Sequence, residues 1–131
     1  MRKVDIEEDI YYLQQMNYWV AKVKERLADV NRYGLDLLDE MVIDSLAMNI
    51  GQIGEQMNSE KLSKYTQQKF MSDSYWSGIS KFRNKAYHHY GSRDKKQILD
   101  IALNDLDELV DRVNHIILKL KIDLDESRSE F

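Results

Sequence analysis

The stretch Ile79-Ser80-Lys81-Phe82-Arg83-Asn84-Lys85-Ala86-Tyr87-His88-His89-Tyr90-Gly91-Ser92-Arg93 concentrates the residues of this chain that are best suited to chemistry on a phosphate. Arginine offers phosphate oxygens a planar, permanently charged fork. Histidine exchanges a proton near neutral pH. Together they are the smallest set that cleaves RNA without a metal. His88 would take the proton of the ribose 2′-hydroxyl or protonate the leaving 5′-oxygen, while Arg83 would stabilise the charge of the phosphorane.

Helix geometry limits what these groups can do within one chain. At about 100° per residue, Ile79, Phe82, Ala86 and Tyr90 share a side that faces a core, and Arg83 and Tyr90 fall within about 20° of each other, two turns apart. His88 points elsewhere, with Asn84 and Lys81, about 140° around the axis from Arg83. The two groups meet at one phosphate only if the helix end bends or a second subunit contributes its own copy. Each residue also has a plainer reading. Arg83 can pair with an acid on a neighbouring helix, and Glu55 is either that partner or an ordinary surface acid. Asn84 either orients the phosphate or base or is a solvated side chain. His89 fits a partly buried, backbone-bonded histidine, and His115 a structural one. His88-His89 has no third ligand at suitable spacing, so neither a metal nor a cofactor is expected.

Composition narrows the classes. The chain has 131 residues, 43% of them apolar and 32% charged, which fits one globular domain. The absence of cysteine excludes disulfides, thiolate metal sites and cysteine nucleophiles. The net charge of −4 argues against a general nucleic-acid coat protein. Within it, residues 81–96 hold Lys81, Arg83, Lys85, Arg93, Lys95 and Lys96 against one acid, Asp94, which suggests a local anion site on an acidic body. Met1-Arg2-Lys3-Val4-Asp5 carries no apolar signal segment, and no run approaches the roughly 18 apolar residues of a membrane span. A cytoplasmic location without membrane contact is expected.

The elements that must position these groups are helical. There is no proline, where an average chain of this length would carry about six or seven. Ile6, Ile10, Leu13, Met16, Val20, Val23, Leu27 and Val30 predict a helix over 5–31, capped by Asp5 and broken at Gly34. Leu38, Val42, Leu46, Asn49, Ile53 and Met57 predict a second over 35–58; its internal Gly51 and Gly54 imply the close approach of another helix. Residues 59–72 read as a short helix or loop. A third helix is expected over 74–90, with N-cap oxygens from Ser72-Asp73-Ser74 and a stop at Gly91. A fourth, capped by Asp94, carries Ile98, Ala102, Leu106, Leu109, Val113, Ile116 and Leu120, widened by Leu99, Leu103, Val110 and Ile117. The expectation is an all-α, antiparallel up-and-down bundle of four principal helices, with a possible short fifth, over residues 1–121. Residues 122–131 read as a polar tail that frays.

Arg83-Asn84-Lys85-Ala86-Tyr87-His88-His89-Tyr90 resembles the R-x4-H-x-Y motif of the HepT-like toxins of the HEPN superfamily. Ile50-Gly51-Gln52-Ile53-Gly54-Glu55 is similar to that family's second-helix signature, and Trp76-Ser77-Gly78-Ile79 stands where the family has a Trp before the motif. The likeness covers about residues 5–120. It implies a HEPN-like bundle and a toxin that cleaves single-stranded RNA without metal, acting as a homodimer whose cleft collects Arg83 and His88 from both chains. Asn84 and Glu55 would support them. It also implies a partner, a minimal nucleotidyltransferase antitoxin, that silences the toxin by attaching AMP to Tyr90. Where the family often has a small residue between the motif His and Tyr, this chain has His89, which leaves open which histidine is the base. Two other readings stay in play: a non-catalytic HEPN-type module that docks the nucleotidyltransferase, and a helical adaptor unrelated to RNA.

Overall fold

The computed structural model describes residues 3–58, 60–87 and 92–129, and these are helical with no strand. Helix α1 (Lys3–Tyr33) is followed by α2 (Glu40–Glu55), the short α3 (Lys64–Phe70), α4 (Ser74–Ser80), α5 (Phe82–Tyr87), α6 (Ser92–Asp100) and α7 (Leu106–Ser129). Residues Ile101–Asp105 form a π-helical turn that joins α6 to α7. No helix among the described residues is long and apolar enough to cross a membrane.

Side-chain pairs fix the directions. Asn17 donates to Asn114 at 2.8 Å and Lys24 pairs with Asp107, so α1 and α7 run antiparallel. Gly51 faces Ala86 while Gly54 faces Arg83 and Phe82, so α2 and α5 run antiparallel as well. The core is one cluster that contains the predicted apolar faces, from Ile6, Leu13, Met16, Val20 and Val23 of α1, through Leu46, Ile50 and Ile53 of α2, to Leu109, Val113 and Leu120 of α7. The all-α bundle expected from periodicity is therefore the observed class.

Helix ends depart from the expectation in instructive ways. α1 starts at Lys3, which puts Asp5 inside its first turn, where the helix dipole favours an anion, and not at the cap. It stops where predicted: Gly34 takes φ +63° and Leu35 N–H reaches back to the Val30 carbonyl at 2.9 Å, a Schellman closure. α2 starts at Glu40 and not near 35, because Asp39 takes the N-cap, its carboxylate accepting from the backbone N–H of Met41 and Val42. Leu38 is left exposed in the connection. Asp94 is in the first turn of α6, which begins at Ser92, and so does not cap it.

Two predicted helices are bent. The one expected over 74–90 breaks at Lys81 (φ −77°, ψ −9°) into α4 and α5, where Ser80 Oγ bonds back to the Ser77 carbonyl at 2.8 Å. The stop expected at Gly91 lies outside the described residues. The last helix widens into the π-turn at 101–105, and Ile98, Ile101, Ala102, Leu106 and Leu109 stay buried across it. Beyond residue 121, where a fraying tail was expected, α7 continues to Ser129, with Leu124 buried. Near that end Tyr65 of α3 donates to Asp123 at 3.1 Å.

A buried carboxylate places α3. Asp9 of α1 accepts from the Ser63 backbone N–H at 2.9 Å and from the hydroxyls of Ser63 and Thr66, so it is fully satisfied at the start of α3.

Candidate active site

α5 lies directly on α2, and glycine makes that possible. A Cβ added at Gly51 would sit 2.9 Å from the Ala86 Cβ. One added at Gly54 would sit 2.7 Å from the Arg83 backbone nitrogen, 3.1 Å from the Phe82 Cβ and 3.2 Å from the Ile79 carbonyl oxygen. Ile79, Phe82 and Ala86 are buried on this contact side, as their spacing predicts. The break at Lys81 lets the chain change direction at the point where Ile79 O and Arg83 N both meet Gly54.

With Phe82 and Ala86 turned inward, Arg83 and Tyr87 are turned along the seam between α5 and α2. Arg83 Nε is 3.1 Å from Glu55 Oε2, with the arginine side chain half exposed and the glutamate a quarter exposed. The other Glu55 oxygen takes a long 3.4 Å bond from Asn58 Nδ2. Glu55 therefore occupies the Nε edge of the guanidinium, and of the two readings open from the sequence, the structure realises the partner of Arg83. The Arg83 guanidinium also lies over the Tyr87 ring, 5.9 Å from its centroid. Between the helices is a cavity of about 400 Å³, floored by Gly51 and Ala86 and walled by Asp44, Met48, Gln52, Glu55, Arg83 and Tyr87. That volume is within the range of sites for small organic groups, about 300–1,000 Å³.

The other predicted residues that the structure describes are not gathered here. Asn84 is exposed on α5 and does not line the cavity. His88, His89 and Tyr90 lie outside the described residues. His115 is exposed on α7, beside a hollow formed with Phe70, Trp76 and Arg112. Lys85 does not join Arg83 in one basic patch: it lines a different hollow with Tyr75, Asp105 and Glu108. Burial raises the Asp105 carboxyl above its ordinary value, and the neighbouring Asp100 adds to this while Lys85 opposes it.

Arg112 ties α4 to α7. Its guanidinium stacks on the Tyr75 ring at 3.9 Å, bonds Glu108 Oε1 at 3.0 Å and reaches Asp73 Oδ2 at 3.5 Å. Asp73 stands at the N-cap position of α4, yet its carboxylate makes this ion pair and not a capping bond. The start of α4 is thereby pinned to α7. Trp76, one of the residues of the upstream likeness, is a buried core ring of α4.

Sequence reasoning passed over Tyr87, which falls between the letters of the motif. The signal was there, since Tyr87 follows Arg83 by four residues and so shares its helix face. No curated protein and no solved structure matches the chain significantly. The family described as Ribonuclease HepT-like does match, over residues 12–116, which includes both walls of the cavity; the chain belongs to the HepT-like ribonuclease family.

Proposed function

We propose that this ribonuclease is the toxin of a toxin–antitoxin pair and cleaves single-stranded RNA by metal-independent transesterification at Arg83 and His88. The ribose 2′-oxygen attacks the adjacent phosphorus, forming a 2′ O–P bond. The P–O5′ bond breaks, leaving a 2′,3′-cyclic phosphate and a free 5′-hydroxyl. One His88 accepts the 2′ proton, and the His88 of a second copy donates a proton to the 5′-oxygen. Arg83 neutralises the charge on the non-bridging oxygens. The observation that carries this reading is Arg83 itself: a half-exposed guanidinium at the wall of a cavity, held through Nε by Glu55 and in no other ion pair among the described residues.

The regulatory half of the proposal concerns Tyr90. A nucleotidyltransferase antitoxin would join the tyrosine oxygen to the α-phosphorus of ATP, with loss of pyrophosphate. The resulting negative charge and bulk, seven residues from Arg83 in sequence, would compete with the RNA phosphate.

Cleavage of a single-stranded RNA in EDTA is the direct test. Product ends should be 2′,3′-cyclic phosphate, and either Arg83→Ala or His88→Ala should lower the rate by about 10²-fold or more. His89→Ala should do much less. Loss of activity in His89→Ala with retention in His88→Ala moves the base to His89. A highly purified protein that leaves RNA intact would favour a docking module without catalysis.

A further inference from the structure

We propose that Tyr87 is a base-stacking platform, so that the cavity beside Arg83 takes the nucleobase that adjoins the phosphate held by that arginine. The inference rests on the reading of the cavity as the RNA site and adds its binding mode. Tyr87 is 61% exposed, shares a helix side with Arg83 and lines the cavity. Nothing in the fold requires it there, because the core-facing positions of α5 are Phe82 and Ala86.

The surroundings suit a flat, polar-edged aromatic group. The cavity floor is low, since only the Ala86 methyl lies between the two backbones at Gly51. Met48, also 61% exposed, brings a polarisable thioether to the same space. Gln52 supplies an amide that can both donate to and accept from a base edge. The Arg83 guanidinium is 5.9 Å from the Tyr87 centroid, which places the charge that would meet a phosphate about one nucleotide's reach from the ring. Single-stranded RNA exposes both partners together, an unstacked base and its phosphate, whereas a duplex hides the base. Stacking tolerates any base, because each has a π-face, so Tyr87 contributes affinity and register without dictating sequence.

The test uses uncleavable ligands, so that binding is read apart from catalysis. A fluorescein-labelled, 2′-O-methylated single-stranded oligonucleotide of mixed sequence is titrated with the full chain and followed by anisotropy. Tyr87→Ala should weaken binding by about tenfold, toward the lower end of what one base–aromatic stack contributes, while Tyr87→Phe should bind like the unaltered protein. With an oligomer of equal length that carries abasic sugars throughout, Tyr87→Ala and the unaltered protein should bind equally. An unchanged affinity of Tyr87→Ala for the base-bearing strand overturns the proposal. So does an equal loss on both ligands, which would mean that the ring acts by positioning Arg83. The ribonuclease reading is judged separately by cleavage. Arg83-dependent cleavage with an unaffected Tyr87→Ala sinks the platform alone, whereas a protein that neither binds nor cleaves the strand sinks both.

Discussion

Arg83 and Glu55 illustrate how a modest ion pair can matter more for geometry than for stability. The arginine is half exposed, and such pairs contribute about 0–1 kcal/mol to folding. Glu55→Gln should therefore leave the melting temperature within a degree or two. It should lower cleavage by about tenfold, because the guanidinium loses the charge that holds its Nε edge; Glu55→Asp, too short for the 3.1 Å contact, should behave similarly. A large fall in melting temperature without a fall in cleavage would reverse this assignment. Tyr75 presents the opposite case, a residue that matters for stability and touches no substrate. Its hydroxyl is buried without a hydrogen-bond partner among the described residues. Burial, reinforced by Glu108 and opposed by Arg112, pushes its pKa from 10.0 up to about 12. The folded state thus holds this proton more tightly than the unfolded chain. Its contribution is complete below pH 10 and is lost as pH rises toward 12. Tyr75→Phe should keep the Arg112 stack, remove an unsatisfied hydroxyl, raise the melting temperature slightly at pH 7 and flatten the alkaline decline between pH 10 and 12, as thermal melts against pH would record. The Arg83–Glu55 pairing was one of the readings open from the sequence, whereas Tyr75 owes its raised pKa first to burial and then to Glu108 of α7, which residue types alone do not show.

At the level of elements, what the pattern carried well was the faces. Apolar spacing identified the buried sides of α1, α2 and α7, and the two glycines within a helix announced a close neighbour before that neighbour was known. Ends and bends came through poorly, because they are settled by local hydrogen bonds that compete on small margins. Asp36 accepts from Leu38 N–H and Asp39 caps α2, so these two acids hold the turn before α2 in place. Neither the π-turn nor the break at Lys81 is marked by the apolar spacing, since steps of four also run along the unbroken α2. That contact predicts an ordering of variants. Replacing glycine by alanine within a helix ordinarily stabilises by about 1 kcal/mol. Here Gly54→Ala should instead lower the melting temperature markedly and reduce cleavage, since the new methyl meets backbone atoms of Arg83 and Ile79 that cannot step aside. Gly51→Ala should cost less, its neighbour being the Ala86 methyl, and Gly51→Ala with Ala86→Gly should recover most of that loss. Equal losses for Gly51→Ala and Gly54→Ala would show that the seam yields as a whole.

For the whole molecule, the question is how an acidic chain of net charge −4 assembles a site for a polyanion. Its described cations do not pool: Lys85 faces the hollow near Asp105, and Arg112 is bound to Glu108 and Asp73. One Arg83 paired with one Glu55 carries little net field toward RNA. Two copies meeting at the cavity would bring two Arg83 side chains to one cleft, and they would supply the two proton-transfer groups that transesterification uses. The outward side of α2 suits such a meeting, for Met41 and Met48 are seven residues apart on one stripe, both largely exposed, and Met48 borders the cavity. A two-fold dimer at micromolar concentration is the expected outcome of light scattering on the full chain. Met41→Glu should shift it to monomer, by placing like charges at the meeting face, and should abolish cleavage while leaving the helical circular dichroism unchanged. A monomer in the unaltered protein that nevertheless cleaves RNA with Arg83 and His88 would mean that one chain brings both groups to the phosphate, which requires the backbone beyond Tyr87 to turn His88 through most of the 140° that separates it from Arg83 on a regular helix, an angle of about 100° per residue over five residues.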